Sequence, residues 1–505
     1  MYFLVFFACF ALIRGQYYGT YDCPSGSDVM VHLFEWTHAS VADECERFLS
    51  ENGFCAVQVS PPNEHRVIDD PWRPWYQRYQ PVSYSMTSRS GNELEFLDMV
   101  NRCNDVGVRV YVDAVINHMT GGGFGVGSDG SVWSGDGLDY PSVPFGSTDF
   151  NGANECSTSS LEIENYQDVI QVRNCRLLGL RDLKLAKDYV RGKVAEYLNK
   201  LVGYGVAGFR VDASKHMWPG DMQNIFNRLN NLNTRWFPSN TKPFIYQEVI
   251  DMGGEPITAS EYTSMGRVTE FKYGKNLGDC IRKNNGEKIS YLKNFGEGWG
   301  FMSGVDAVSF VDNHDNQRGH GAGGFGSILT FFEDRWYKMA NAFLLAWPYG
   351  YPRIMSSYNW PRNIVGGTDQ NDWVGPPDNG AGDTDYAVCF NGDWICEHRW
   401  RQITNMVHFH NAVINAVVQN WWDNGENMIA FSRGNIGFLA MNNENYDMNE
   451  WLQTGLPGGV YCDIISGDDV LGACTGKTIT VNANGFAQVT ISSGDSDPMI
   501  AIYFR

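Results

Sequence analysis

Four carboxylic acids stand where an apolar run has just ended or is about to. They are Asp113 in VRVYVDAVINH (108–118), Asp212 in VAGFRVDASKH (206–216), Glu248 in KPFIYQEVID (242–251) and Asp315 in DAVSFVDNHD (306–315). A β-branched run that buries itself as a strand has no use for an ionised end, because a charge resists leaving water unless it is paired or catalytic. For any one acid a salt-bridged strand terminus is the ordinary explanation; four in one chain point to a site. A carboxylate nucleophile beside a carboxylic acid is the equipment for cleaving a glycosidic bond. His118, His216 and His314 lie in the same segments and would also suit a hydrolytic zinc. Against zinc, His216 follows Lys215 on a turn and no HExxH pair occurs.

Acids this far apart can meet only if the ends of their strands converge. Eight short apolar runs recur: 29–33, 56–59, 108–112, 208–211, 243–246, 268–271, 307–311 and 353–355. Eight is the number a closed (β/α)8 TIM barrel needs, and in that α/β fold all strand ends open on one face. Helical stretches separate several of them. Residues 90–105 open with a Ser/Glu capping-box pattern at Ser90, and 185–202 carry apolar residues on one face. Alternating strand and helix implies a parallel sheet. The third and fourth strands are separated by a polar stretch too long for an ordinary barrel loop. The expected organisation is therefore a leader over 1–15, barrel over 16–116, an inserted domain over 117–184, barrel again over 185–415, and an all-β Greek-key sandwich over 416–505. The sandwich rests on short alternating runs, including 478–481 and 487–491 joined through Asn484-Gly485, a strong hairpin signal.

The segments DAVINH, GFRVDASKH, YQEVID and FVDNHD resemble the four signature segments of animal-type α-amylases, of the glycoside hydrolase 13 clan. The resemblance extends through HLFEW, QVSPPNEH, RPWYQRYQPVSY, KHMWPGD, GHGAGG, RIMSSY, NDWVGPP and CEHRWRQI, so it covers essentially everything after the leader. It implies that Asp212 is the nucleophile, that Glu248 is the acid/base whose carboxyl must hold a proton, and that Asp315 grips sugar hydroxyls and favours a distorted ring. Asp113 would support them, orienting Arg210 or closing the hydrogen-bond network. His118 and His314 resemble the family's donors to sugar hydroxyls, with Tyr166, Lys215 and His320 as further contacts. Trp75, Tyr76 and Tyr79, with Gln80, crowd one loop; flat faces stack on pyranose rings, and Arg73 and Arg78 make the loop too polar for wholly buried core. Tyr76 stands where vertebrate relatives carry tryptophan. The glycines of 319–324 suggest a mobile lid around His320.

Two ions follow from the same resemblance. Calcium would be held by Asn117, Asp182 and the backbone carbonyls of Arg173 and His216, stapling the insertion to the barrel. Chloride would lie between Arg210, Asn313 and Arg353. The ordinary alternative for Arg353 is an ion pair with a barrel acid. The implied activity is endo-hydrolysis of α-1,4 bonds in starch and glycogen with retention of configuration. A related α-glucosidase or transglycosylase shares the same acids, and a non-catalytic carbohydrate-binding or transporter-accessory barrel would be expected to lack them.

Composition is compatible with this. A formal charge of −20 argues against nucleic acid and anionic membranes as partners and suits a neutral polysaccharide, although solubility alone accounts for most of these acids; a monomer is expected. Residues 2–13 are an apolar stretch too short to span a bilayer, the pattern of a secretory leader cleaved before Gln16, so the protein is expected to be extracellular. Export makes disulfides the default for the eleven cysteines beyond the leader. Cys156 with Cys175, Cys389 with Cys396, and Cys462 with Cys474 are plausible local staples, although spacing does not settle connectivity. The resemblance adds Cys45 with Cys103 and leaves Cys23, Cys55 and Cys280 unassigned.

Overall fold

A computed structural model describes residues 17–24 and 26–504; the expected leader lies outside them. Eight strands form a closed parallel barrel: β1 (Met30–Leu33), β2 (Ala56–Val59), β3 (Arg109–Ala114), β4 (Gly208–Val211), β5 (Phe244–Gln247), β6 (Arg267–Thr269), β7 (Ala307–Ser309) and β8 (Tyr351–Ser356). Each pairs with the next in chain order, and β8 returns to β1 with Arg353 opposite Met30. All eight correspond to the apolar runs of the sequence. Every one except β6 is buried along its whole length, as strands covered on both faces by side chains must be. Gly208 is required where β4 passes β5: a Cβ there would sit 2.4 Å from the Phe244 carbonyl oxygen.

The helices, in chain order, are α1 (His38–Glu44), α2 (Glu93–Asp105), α3 (Val169–Asn174), α4 (Asp188–Tyr204), α5 (Pro219–Phe226), α6 (Phe271–Arg282), α7 (Asp334–Ala346) and α8 (Arg401–Val413), all but α3 lying around the barrel. The capping box expected at Ser90 lies two residues later. Asn92 caps α2 by accepting from the Leu94 and Glu95 amides, while Glu95 reaches back to the Asn92 amide. Asparagine is as good a cap as serine; the Ser90 hydroxyl instead accepts from Arg78 Nη1 at 2.8 Å.

Between β3 and β4 the chain leaves the barrel and returns. Its two ends meet at the β-bridge of His118 with Asp182, a second bridge ties Phe150 in its middle to Leu183, and the excursion holds a small hairpin, α3 and the Cys156–Cys175 disulfide. Past α8 the chain forms two four-stranded antiparallel sheets. One is ordered β9 (Val418–Asp423), β10 (Met428–Arg433), β11 (Gly437–Asn442), β16 (Met499–Tyr503). The other is ordered β12 (Met448–Gln453), β15 (Phe486–Ile491), β14 (Thr478–Val481), β13 (Gly459–Cys462). A separate apolar core, including Phe438, Val489 and Ile502, lies between them. Further disulfides join Cys23–Cys55, Cys45–Cys103, Cys389–Cys396 and Cys462–Cys474, and Cys280 is buried as a free thiol. No helix among the described residues is long and apolar enough to cross a membrane.

Candidate active site

The barrel delivers its acids to one point. Asp212 directly follows β4 and Glu248 directly follows β5, while Asp113 and Arg210 lie opposite each other within the paired strands β3 and β4. The buried guanidinium of Arg210 ties the three acids together. Its Nη1 donates to Asp113 Oδ1 and to Asp212 Oδ1, each at 2.7 Å, and its Nη2 donates to Glu248 Oε1 at 2.5 Å. Asp212 and Glu248 are thus held at the two ends of one guanidinium. Immediately after Asp212 the backbone turns through a left-handed Ala213 (φ 48°), which directs the Ala213 amide to Glu248 Oε2 at 2.8 Å. A left-handed alanine is a strained choice, held here by the surrounding bonds. Asp113, fully buried, also accepts from the Tyr79 hydroxyl at 2.9 Å.

Three buried acids around one cation shape the electrostatics. Burial raises the pKa of Asp212 well above the ordinary carboxylate range, while Arg210 pulls it back down. Burial and then the negative charge of Glu248 push Asp315 up to about 7. Asp113 is also raised by burial, against the pull of Arg210. The cluster therefore retains a proton near neutrality and titrates as a unit. Burial lowers His118 to about 4 and holds His314 well below its usual value, so both imidazoles are neutral.

Above these acids opens a cleft of about 740 Å³. Asp212, Glu248 and Asp315 line it together with Trp75, Tyr76, Tyr79, Gln80, His118, Tyr166, Lys215, His314 and His320. All the residues expected to act on or touch substrate thus converge on one surface. His314 stacks on Tyr79 with ring centroids 5.1 Å apart, Trp75 meets both edge-on, and His118 Nε2 lies 3.0 Å from the Tyr79 carbonyl oxygen. On the far wall Lys215 Nζ sits 5.4 Å from the Tyr166 ring centroid and donates to the Ile250 carbonyl at 2.9 Å. His320 pairs with Asp372 at 3.0 Å. Leu177, Leu178, Leu180, Ile250, Glu255 and Asp372 line the cleft as well and were not singled out from the sequence. Only Ile250, within YQEVID, and Asp372, within NDWVGPP, lay in segments that could have pointed to them.

Comparison with known proteins decides the family. Residues 419–505 match the model "Alpha amylase, C-terminal all-beta domain". The α-amylase of Oryzias latipes is 60% identical over 487 residues, covering 95% of this chain and 94% of that protein. The chain belongs to the α-amylase family. Pancreatic α-amylase of Sus scrofa is 58% identical, covering 95% of each chain. Among solved structures, wild-type α-amylase I of Eisenia fetida superposes with a TM-score of 0.95 at 60% identity, covering 97% of this chain and 99% of that one. A mutant of the same Eisenia enzyme, solved in complex with maltohexaose, matches with the same TM-score at 59% identity, covering 97% of this chain and 100% of that one.

Two further sets of residues have the character that α-amylase ion sites demand. Asp182 is a buried carboxylate with no ion pair among the described residues, and burial raises it well above its ordinary range. The amides of Asn151 and Asn117 bond it, Asn151 Nδ2 at 2.7 Å. Nearby, His216 Nδ1 lies 2.9 Å from the Val172 carbonyl oxygen, which brings the turn after β4 against α3 and Arg173. An uncompensated buried carboxylate beside two side-chain amides fits a hard cation. Arg353 presents the opposite case. It is buried, with no carboxylate within 4 Å among the described residues, and its Nε and Nη2 have no hydrogen-bond partner. Arg210 Nε is also unpartnered, and both guanidinium charges act on the same buried His32. The unpaired charge of Arg353, with its free nitrogens and the free Nε of Arg210, fits an anion; the ion pair that was the alternative for Arg353 does not form.

Proposed function

We propose that this chain is an endo-acting hydrolase of α-1,4-glucan chains such as starch and glycogen. The observation that carries it is the placement of Asp212 and Glu248 at the two ends of one buried guanidinium, on the floor of an aromatic cleft wide enough for a sugar chain. Asp212 attacks the anomeric carbon as Glu248 protonates the leaving oxygen. Glu248, now ionised, deprotonates the water that releases the sugar from Asp212, and two inversions retain configuration. Asp315 holds ring hydroxyls in the distorted sugar, with the neutral His314 donating to their neighbours and His118, its Nε2 proton given to the Tyr79 carbonyl, lining the wall beside them. Trp75, Tyr76 and Tyr79 offer stacking faces, and Tyr166, Lys215 and His320 bind from the opposite wall. Asp113 keeps Arg210 in place beneath the reacting pair.

Asn117, Asp182 and the carbonyls of Arg173 and His216 would hold calcium, whose chemistry is to clamp the insertion against the end of β4. Arg210, Asn313 and Arg353 would hold chloride, whose negative charge favours the proton-carrying form of the neighbouring acid. Five disulfides favour an oxidising compartment, in keeping with secretion.

The test is a reducing-sugar assay on soluble starch. Asp212→Asn should lower turnover by about 10⁴-fold or more while starch affinity persists, because the change removes the nucleophile but little volume. Unmodified enzyme should release short oligomers early. Retained turnover in the variant, or glucose alone from chain ends, would contradict the proposal.

A further inference from the structure

The strand residues on the outer face of the sheet β12–β15–β14–β13 carry no charge; the nearest carboxylate on that side, Asp447 just before β12, is tied to Ser492 and Ser493. Along the edge strand β12 the outward residues are Asn449, Trp451 and Gln453, opposite Thr490, Gln488 and Phe486 of β15. The outward positions of β14 and β13 add only threonine, valine and one half of a disulfide.

It is also not bland. Trp451 is 61% exposed and Phe486 39% exposed. Isolated exposed apolar side chains are common and need no explanation; here they are set among fixed amides. Gln488 Nε2 donates to Asn449 Oδ1 at 2.7 Å and Thr490 Oγ1 donates to the same oxygen at 3.2 Å, so the polar groups beside the indole are positioned in advance. Trp451 faces Gln488 across the strands, which makes Phe486 its diagonal neighbour, about 7 Å away. Two flat apolar faces flanked by amide and hydroxyl groups are what a pyranose chain requires: rings to stack on, and donors and acceptors for its hydroxyls.

Charge narrows the choice of occupant. A polyanion, or a second copy carrying −20, is repelled by the body of the molecule. A basic partner would need carboxylates that the face lacks. A neutral polyhydroxyl chain meets neither obstacle. None of the residues that line the catalytic cleft lies beyond Asp372, so this surface belongs to a separate part of the molecule.

We propose that this face is a second carbohydrate-binding site, taking a segment of neutral α-glucan on Trp451 and Phe486 and so anchoring the enzyme to polymeric or granular substrate. The choice of α-glucan rests on the function proposed above. The test compares the full-length chain with Trp451→Ala and Trp451→Phe, each in the Asp212→Asn background, for adsorption to insoluble starch granules in the cold. Trp451→Ala should weaken adsorption about tenfold, and Trp451→Phe should retain most of it, because an aromatic face remains. With Asp212 intact, Trp451→Ala should cleave short soluble maltooligosaccharides at the unmodified rate. Equal adsorption by Trp451→Ala would overturn the proposal. So would sedimentation showing a dimer that Trp451→Ala dissolves, since a second copy would then occupy the face. Failure of the unmodified chain to cleave the soluble substrate would sink the function instead; adsorption reports on the face either way.

Discussion

Asp113→Asn tests whether the acids at the barrel mouth act as one proton-holding unit. The substitution keeps size and shape but removes one of the three negative charges bonded to Arg210. The charge of Asp113 is among the causes that raise Asp315, after burial and the charge of Glu248. Over separations of about 6 to 10 Å at an effective dielectric of about 20, one unit charge is worth about 2–3 kcal/mol, or about one to two pH units. Water in the open cleft screens part of this. Removing a negative neighbour favours ionisation of the remaining carboxyls, and Arg210, released from one partner, pulls in the same direction. The unit's last proton therefore leaves at lower pH. The alkaline limb of the kcat/KM profile on a soluble oligosaccharide should move acidward by about one to two pH units. The variant should also unfold more readily, because breaking a buried charge pair costs about 3–5 kcal/mol. An unmoved alkaline limb in a folded, active variant would refute the shared-proton argument, since a merely structural Asp113 would alter stability alone.

Glu44 provides a stability counterpart away from the site. Although burial would raise its pKa, bonds from His398 (2.8 Å to Nε2) and Arg399 bring it down to about 2, against an ordinary 4.5. Burial lowers His398, leaving Arg399 as the charge partner at neutral pH, so about 2 kcal/mol is a fair figure for what Glu44→Gln should lose. Because the folded value is depressed, that difference should be complete above about pH 4.5 and shrink as pH falls toward 2, as read by chemical denaturation across that range. For the anion, dialysis into chloride-free buffer should lower turnover at neutral pH and added chloride should restore it, whereas Arg353→Gln should lose the response; undiminished turnover without halide would remove the ion from the mechanism.

The barrel was legible because its strands are short, apolar and bounded by polar turns, and because the site acids interrupt that pattern. What the sequence hid follows from physics as well. The Ser90 capping pattern lost to Asn92 because a cap is selected by backbone geometry, and both residues have suitable side chains. β9 escaped notice because VQNWWD lacks alternation, and its register shifts between Gln419 and Trp422. β12 lies on a sheet edge, where Glu450 can occupy an inward register position and stay exposed. Leu177, Leu178 and Leu180 line the cleft from an irregular segment with no period to betray them. The Arg173 and His216 contributions to the cation set are backbone carbonyls, which every residue has, so only the resemblance could suggest them. The unpartnered nitrogens of Arg353 are a property of the fold alone.

The ring closes between the segments at its extremes, Met30 of β1 against Arg353 of β8. During synthesis the first strand must therefore wait for the eighth, which leaves the ribosome hundreds of residues later, and contacts of such long sequence separation form slowly. Asp113, Asp212, Glu248 and Asp315 have all been made by then, yet the wall that holds them in register has not. Until β8 has been made, a nascent chain therefore carries all four acids on an open wall that cannot hold them in catalytic register.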